Sequence, residues 1–298
     1  PMYYDSMIAK LIVHGKDRLD AIARMREALN GFVIKGVQSN IPFQAALLAH
    51  PRFISGDFNT GFIAEHYAHG FRAEDVHHDD PAFLQALAVY LYAFYRNRAR
   101  GLQGQFWEGY KRLSPRDCTV CVLGEGGHNT YLPAHVGETQ PGQATRITLQ
   151  TPQGERHYDL LVANLLGDTR VTGTVDGKPF TAQMARGVGQ NPLAIRVAHN
   201  GTQMDAIVMH PRTAELHRLM PYKAPPDMSK FVLSPMPGLL VQVAVQQGQE
   251  VKAGERVAVI EAMKMENVLF AARDGVIGKI SASKGDSLAV DQVIMEFA

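Results

Sequence analysis

Residues 260–267 have the sequence Ile260-Glu261-Ala262-Met263-Lys264-Met265-Glu266-Asn267, and they lie between two copies of one sequence pattern. The copies are offset by 37 residues, which is the separation of Gly238 from Gly275. Further positions match at this offset: Leu239-Leu240 with Val276-Ile277, Val243 with Ile280, Gly248 with Gly285, Val251 with Leu288 and Val257 with Ile294. Short β segments with glycines at matched turns predict two similar half-sheets packed face to face. The junction is then a hairpin that presents Lys264 to solvent at one end of the domain.

This junction resembles the biotin-attachment sequence of biotin carboxyl carrier domains, and Ser234-Pro235-Met236-Pro237-Gly238 resembles the strand opening that accompanies it. The resemblance covers residues 231–298 and implies a biotinyl barrel-sandwich of two similar four-stranded halves. It also implies that Lys264 carries biotin covalently and is the only residue of this chain that takes part in the reaction directly. The neighbours included in the biotin-binding sequence are Ala262, Met263 and Met265.

Two other interpretations of Lys264 compete with this one. A lipoyl carrier domain has the same fold and a lysine at the same turn, but that family usually has Asp before and Ala after the lysine. Here Met263 and Met265 flank it. A structural β domain with an exposed turn lysine is the second alternative, and the duplicated glycine pattern centred on Lys264 disfavours it.

The start of the chain resembles the C-terminal end of a biotin carboxylase, as far as about residue 67. The resemblance rests on residues 3–12, 21–25 and 36–40. The pattern predicts an α+β region over residues 1–70, with a strand over 7–13 and a helix over 17–32 that Asp17 caps. A second helix is expected after Pro42. Residues 1–70 contain no Gly-rich phosphate loop, and Pro1 falls within a predicted strand, so we expect the chain to be a piece of a longer protein that holds the ATP site elsewhere.

The middle region, residues 71–219, combines one apolar helix with many short strands. Pro81 is expected at the first position of the helix, with Asp80 as its cap, and residues 83–95 are apolar on every side. From about Asp117 to His210 the apolar period changes to two, with hairpin turns predicted at Asp176-Gly177 and Asn200-Gly201. A helix without a polar face must be enclosed, so we predict an antiparallel β-barrel closed around it.

Residues 220–230 contain three prolines and predict an extended linker between this region and residues 231–298. The fold class is therefore multidomain and mostly β. Net charge is +1, from 30 basic and 29 acidic residues, and no basic run suggests nucleic acid. The apolar stretch 83–95 is too short to span a membrane. The chain has two cysteines and no signal-peptide pattern, so we expect a cytoplasmic protein, or a mitochondrial matrix protein in a eukaryote.

Together these regions resemble the α subunits of biotin-dependent acyl-CoA carboxylases. Residues 212–221, just before the carrier domain, are most similar to the propionyl-CoA type. The resemblance implies that Lys264 carries carboxylated biotin from a biotin carboxylase site to a carboxyltransferase β subunit, in the ATP-dependent carboxylation of propionyl-CoA to methylmalonyl-CoA. Acetyl-, butyryl- or methylcrotonyl-CoA is an alternative substrate, and a non-enzymatic biotinyl or lipoyl carrier is an alternative function.

The same resemblance implies several ligands and partners. ATP, magnesium and bicarbonate are expected in the full-length enzyme, and a biotin protein ligase is expected to modify Lys264. The middle region would bind the β subunit in a hetero-oligomer, and that subunit would bind the acyl-CoA. The contact is expected in the loop from Gly101 to Asp117, which holds Trp107.

Three further sets of residues could have chemical roles, but each has a simpler structural explanation. Cys118 and Cys121 have redox or zinc spacing, yet residues three apart in a strand point to opposite faces. The aromatic residues Tyr90, Tyr92, Phe94 and Tyr95 fit core packing better than a ligand pocket. A polar set between residues 66 and 80 lacks regular ligand spacing, and we predict no metal site there: His66, His69, His77, His78, Asp79 and Asp80.

Overall fold

A computed structural model describes residues 7–72, 75–101, 116–140, 142–163, 167–188, 191–222, 228–262 and 265–298. The chain folds into two compact units. The larger unit spans Leu11–Tyr222, and the smaller unit includes residues 7–10 and 228–298. The larger unit contains two of the predicted domains, and the boundary near residue 70 between them stays a prediction. The middle of the predicted linker, residues 223–227, lies outside the described residues.

Four helices form the N-terminal region: α1 (Arg18–Gly31), α2 (Ile41–Ala49), α3 (Pro51–Ser55) and α4 (Phe62–His66). The Asp17 side chain accepts a hydrogen bond of 2.9 Å from the Asp20 backbone N–H, so Asp17 caps α1 as predicted. Pro42 lies in the first turn of α2, as expected of a residue that lacks an N–H donor.

The predicted strand over residues 7–13 is wrong. These residues are irregular, and Ile8 and Ile12 are exposed. A strand needs a neighbour to bond its backbone groups, and none of the described strands pairs with this segment. The described part of residues 7–72 is therefore helical, and the predicted α+β class of this region is corrected to a helical one.

Eight antiparallel strands close into a barrel in sequence order. The strands are β1 (Asp117–Val122), β2 (Thr130–Val136), β3 (Thr145–Thr151), β4 (Gly154–Val162), β5 (Arg170–Val175), β6 (Lys178–Val188), β7 (Asn191–His199) and β8 (Thr202–Met209). The barrel closes where β1 pairs with β8, with Val120 opposite Val208. Both predicted hairpin turns are confirmed, because φ is positive at Asp176-Gly177 (50° and 76°) and at Asn200-Gly201 (50° and 80°). A short helix, α6 (Pro211–His217), follows β8.

The apolar helix is α5 (Pro81–Gly101), and its side chains pack inside this barrel. Leu84 and Leu87 are fully buried among inward-facing residues of the strands, such as Leu160. The predicted enclosure is therefore confirmed, with Pro81 at the first helical position. Among the described residues, none of the helices is both long and apolar enough to cross a membrane.

Asp80 attaches the start of α5 to the barrel wall. Its two carboxylate oxygens each accept a hydrogen bond of 3.0 Å from the Tyr158 hydroxyl, and its carboxylate lies 3.1 Å from the Arg156 guanidinium. Burial, with the hydrogen bond to this carboxylate, raises the pKa of Tyr158. The sequence predicted Asp80 as a cap, and the structure adds this link to β4.

Two histidines form a second link between the start of α5 and the barrel. His78 Nε2 lies 2.8 Å from His199 Nδ1, and the Asp80 backbone N–H donates to His78 Nδ1 over 3.0 Å. His78 therefore carries its proton on Nε2 and donates it to His199, and both rings are neutral. Burial lowers the pKa of both rings, that of His199 to about 4, while Arg26 on α1 lowers both and Asp79 opposes the shift.

The smaller unit contains two four-stranded sheets. Its strands are β9 (Phe231–Leu233), β10 (Gly238–Val243), β11 (Glu250–Val251), β12 (Arg256–Ala262), β13 (Met265–Phe270), β14 (Gly275–Ile280), β15 (Ser287–Leu288) and β16 (Val293–Phe297). One sheet has the order β13-β12-β10-β15 and the other β11-β14-β16-β9. Adding 37 to the residue numbers of β9, β10, β11 and β12 gives positions in β13, β14, β15 and β16, respectively. This offset converts the strand order of one sheet into that of the other, so the two sheets are equivalent.

Hydrogen bonds between the two halves follow the same symmetry. The Gly248 N–H donates to Ile277 O over 2.7 Å, and the equivalent Gly285 N–H donates to Leu240 O over 2.7 Å. Both glycines have positive φ, 84° and 94°, which a residue with a Cβ adopts only with strain. Leu240 and Ile277 are themselves equivalent and fully buried in one core. The predicted duplication is therefore confirmed in the backbone as well as in the side chains.

The enclosed helix generates a prediction about stability. We expect Leu87→Ala to lower the free energy of unfolding of the larger unit by about 2–5 kcal/mol, because a closed barrel cannot collapse onto the cavity. Leu193→Ala is the matched control, since Leu193 is 71% exposed on β7. Urea unfolding monitored by circular dichroism measures both variants, and an equal effect of the two substitutions would contradict the packing described here.

The histidine pair generates a prediction about pH. A histidine of the unfolded chain titrates near about pH 6.5. Because burial lowers the folded-state pKa of His199 to about 4, the unfolded state binds the proton first, and stability is lost as pH falls through this range. We expect the free energy of unfolding to drop by about 2 kcal/mol between about pH 7 and pH 5.

His199→Asn is the control for this prediction. Its side-chain oxygen can accept the proton of His78 but does not titrate, so the pH-dependent loss should be smaller. The measurement is urea unfolding of both proteins at the two pH values. Equal losses would show that His199 does not cause the pH dependence.

Candidate functional site

The candidate site is the hairpin that joins β12 to β13. Residues of the two strands lie opposite one another in three consecutive pairs: Ile260 with Asn267, Glu261 with Glu266, and Ala262 with Met265. Only Met263 and Lys264 stand between the last pair in the sequence, and both lie outside the described residues. The predicted lysine therefore belongs to the two-residue connection of a paired hairpin, in the middle of the duplicated domain.

Side chains at the end of β12 alternate between the core and the solvent, whereas the first two residues of β13 are both exposed. Ile260 and Ala262 are buried, whereas Glu261 between them is exposed. On the partner strand Met265 is 50% exposed and Glu266 is exposed. Of the predicted neighbours of Lys264, Ala262 is buried, whereas Met265, which lies opposite Ala262 on the same face of the sheet, is half exposed at the start of its strand.

The strand before the hairpin approaches its backbone closely at Gly238. A Cβ on Gly238 would lie 2.6 Å from the carbonyl oxygen of Glu261 and from Ile260 Cγ2. No other residue type fits there without displacing β12 next to the candidate lysine. This is the physical reason for glycine in the Ser-Pro-Met-Pro-Gly sequence that precedes β10.

Two buried residues contact the base of the hairpin, and sequence reasoning gave neither of them a role. The Asn267 side-chain amide donates to Met265 O over 3.3 Å and contacts Met236 Sδ at 3.6 Å. Asn267 and Met236 are 8% and 4% exposed. Strand alternation places Asn267 on the inward face with Ile260, so a polar residue at an inward position was the signal that could have identified it.

The carboxylates of Glu261 and Glu266 belong to residues directly opposite one another on the exposed face. Like charges in this arrangement destabilise a strand pair slightly. The negative charge at this end of the domain is therefore not explained by sheet stability, and it lies on both strands that lead to Lys264.

The other candidate residues are dispersed among structural contacts. His66 lies against His50, with ring centroids 4.5 Å apart, while His78 and Asp80 make the links to the barrel described above. Among the residues that the structure describes, no three His, Cys, Asp or Glu side chains cluster as a metal site would require. His69 and His77 belong to no such group.

Cys118 and Cys121 point to opposite sides of β1, as predicted from strand geometry. Cys118 lies in the barrel core, and Cys121 packs outside it in a small cluster with Ile207 and Ala214. Both are free thiols. Burial raises the pKa of Cys118 to about 12, so it is a protonated core residue at neutral pH.

The aromatic residues of α5 are core residues, as the sequence indicated. Tyr90 is buried, and Tyr92, Phe94 and Tyr95 pack partly buried against the barrel core. The Tyr95 hydroxyl accepts from the Gly167 N–H over 3.3 Å. The loop with Trp107, the predicted contact for a β subunit, falls on residues 102–115, which lie outside the described residues.

Three family descriptions match consecutive parts of the chain. Residues 1–65 match the biotin carboxylase C-terminal domain, residues 84–223 the propionyl-coenzyme A carboxylase BT domain, and residues 230–297 biotin-requiring enzymes. The last match includes the whole hairpin and both equivalent sheets. This match argues against the alternative that the smaller unit is a β domain with only a structural role.

Known proteins are similar to the chain over almost its whole length. It is 40% identical to the propionyl-CoA carboxylase alpha chain of Ruegeria pomeroyi, with 99% of this chain and 41% of that protein covered. It is 31% identical to the mitochondrial propionyl-CoA carboxylase alpha chain of Mus musculus, with 99% and 39% covered. The chain thus spans about two fifths of the length of these relatives.

A solved structure, the lipoyl domain of the 2-oxoglutarate dehydrogenase complex from Azotobacter vinelandii, is 27% identical over 26% of this chain and 92% of that domain. Its TM-score of 0.20 is too low to compare the folds. The assignment therefore rests on the sequence matches. With these three regions in this order, the chain corresponds to the C-terminal part of the alpha chain of a biotin-dependent carboxylase, in the propionyl-CoA carboxylase family.

Proposed function

We propose that Lys264 is the residue to which biotin is attached. The observation that carries this proposal is the register of β12 and β13, because the pair Ala262–Met265 leaves only Met263 and Lys264 to connect the strands. A modifying enzyme must reach a lysine side chain, and Glu261, Met265 and Glu266 beside this connection are exposed. The match of residues 230–297 to biotin-requiring enzymes supports the same assignment.

The residues present suit a covalently tethered group. A lysine amine forms an amide with a carboxylic acid, so attachment requires an accessible amine and no binding cavity. Met265 is half exposed beside the connection, and Met263 precedes Lys264, so both side chains are candidates for recognition by a biotin protein ligase. Ala262 is buried and small, which lets β12 pack against Gly238 up to its last residue.

Biotin, when bound, supplies the nitrogen that accepts and releases a carboxyl group. The contribution of the chain is tethering, which raises the effective concentration of the group at two separate sites. The carrier domain holds the lysine on a rigid sandwich, and residues 220–230, with three prolines, would act as a semi-rigid spacer before it.

We further propose the ATP-dependent carboxylation of propionyl-CoA to methylmalonyl-CoA as the reaction of the complete enzyme. The similarity to propionyl-CoA carboxylase alpha chains and the BT-domain match favour this substrate over acetyl-, butyryl- or methylcrotonyl-CoA. ATP, magnesium and bicarbonate would bind in the complete enzyme. The helix-in-barrel region would hold the carboxyltransferase β subunit, and the protein would act in the cytoplasm, or in the mitochondrial matrix of a eukaryote.

The attachment site is tested by mass spectrometry. We expect the chain, incubated with biotin protein ligase, biotin and ATP, to gain the mass of one biotinyl group on the peptide that contains Lys264. Lys264→Arg should abolish the gain without changing the unfolding temperature. Lys284→Arg is the matched control, because Lys284 is a lysine of the same unit and lies in an exposed turn.

Each result of this experiment has a clear meaning. A biotinyl group on another lysine would reject Lys264 as the site. Modification by a lipoate ligase in place of the biotin ligase would assign the domain to the lipoyl carriers.

The substrate is tested in the complete enzyme. We expect the full α chain, assembled with its β subunit, to carboxylate propionyl-CoA with a higher kcat/KM than acetyl-, butyryl- or methylcrotonyl-CoA, and Lys264→Arg to abolish the activity. Carboxylation is measured as incorporation of labelled bicarbonate into the acyl-CoA. A higher kcat/KM for another acyl-CoA would contradict the propionyl-CoA assignment and leave the carrier function intact.

A further inference from the structure

The two halves of the carrier domain differ at the position under the hairpin. Met236 in the first half is equivalent to Arg273 in the second, at the same offset of 37 residues that relates the glycines. The Arg273 guanidinium lies over the Phe297 ring at 5.0 Å, and its Nε atom is buried with no hydrogen-bond partner in the described part of the chain. Met236 instead contacts the Asn267 amide. The symmetry of the domain is therefore broken next to the proposed attachment site.

Asn267 is an unusual residue for its position. Its neighbours in the interior include Leu269 on the same strand and Ile260 opposite, both buried and apolar. A buried amide costs free energy unless it is hydrogen-bonded. Besides the contact with Met236 Sδ, the amide donates a hydrogen bond of 3.3 Å to the carbonyl of Met265 on the same strand, one residue after Lys264. The side chain thus fixes backbone that directly follows the lysine.

We propose that Asn267 is a positioning residue for the modification of Lys264. By donating a hydrogen bond to Met265 O, Asn267 would fix the direction in which the chain leaves the sandwich at the hairpin connection. Met236 would keep the amide in place through its contact with Asn267. This inference rests on the proposed attachment of biotin at Lys264. It assigns to Asn267 a role in presenting the lysine to the biotin protein ligase, beyond any role in folding.

A leucine at position 267 separates these two roles. Leucine has nearly the same branched shape as asparagine and suits an apolar interior. Removing one partner of a hydrogen bond costs most when the group left behind is buried. Because Met265 is half exposed, we expect water to replace the donor that its carbonyl loses. A purely structural role therefore predicts at most a small change, whereas a positioning role predicts slower modification of a well-folded domain.

The experiment measures biotinylation kinetics of the whole chain with purified biotin protein ligase, at varied concentrations of the chain. We expect Asn267→Leu to lower kcat about fivefold to tenfold, in line with the loss of one hydrogen bond, with KM and the unfolding temperature almost unchanged. KM should not move because the exposed residues of the hairpin stay in place, and a fall confined to kcat is the mark of lost alignment.

Two further variants keep the test decisive. Asn267→Ser has a smaller side chain that fits without strain but cannot reach Met265 O as the amide does, so it should show the same loss of kcat if the leucine variant folds poorly. Arg273→Met is the control, because Arg273 is the counterpart in the other half of Met236, the contact of Asn267, and its kinetics should equal those of the unmodified sequence.

The outcomes separate this inference from the proposed function. If the chain without substitutions is not biotinylated at Lys264, the proposed function fails and the inference fails with it. If that chain is biotinylated and both Asn267 variants keep its kcat, the inference alone is wrong. A fall in rate that parallels a fall in unfolding temperature, or an equal fall in Arg273→Met, would assign Asn267 a structural role and overturn the proposal.

Discussion

The larger unit depends on one constraint, which is that the apolar side chains of α5 cannot remain in water. Leu84 and Leu87 are fully buried because eight strands close around them, and the helix and the inward faces of the strands share one core. Polar groups at the start and in the middle of the helix bond to the barrel strands. Asp80 bonds to Tyr158, and Tyr90 accepts a bond from the Val162 N–H at 3.4 Å. The helix and the barrel thereby stabilise each other.

The smaller unit depends on duplication. Equivalent glycines, equivalent core residues and equivalent hydrogen bonds between the halves produce two sheets that stabilise each other. Duplication alone gives no reason for a lysine at the junction, for acidic residues opposite one another, or for an amide in the core. Lys264, the pair Glu261–Glu266 and Asn267 are the features that symmetry and stability leave unexplained, and they adjoin a single hairpin connection.

Much of this could be predicted from the sequence because it follows from periodicity. The repeat, the two hairpin turns with Asp-Gly and Asn-Gly, and the enclosed helix each leave a pattern in consecutive residues. The strand predicted over residues 7–13 was wrong because a short apolar run does not reveal whether a partner strand exists. The bond between His78 and His199 and that between Asp80 and Tyr158 join residues far apart in the sequence, so no local pattern predicts them.

Contacts between residues far apart in the sequence also matter at the candidate site, and for this reason Asn267 was missed. Lys264 was identifiable because it lies in a distinctive run of residues, whereas Asn267 belongs to that run without any visible role. Its role follows only from strand register, which makes it face inward, and from the contact with Met236, which lies 31 residues earlier in the chain. A short motif can therefore contain two kinds of residue: those that a modifying enzyme contacts, and those that hold the first kind in place. Burial distinguishes them, because Met265 is half exposed and Asn267 is enclosed.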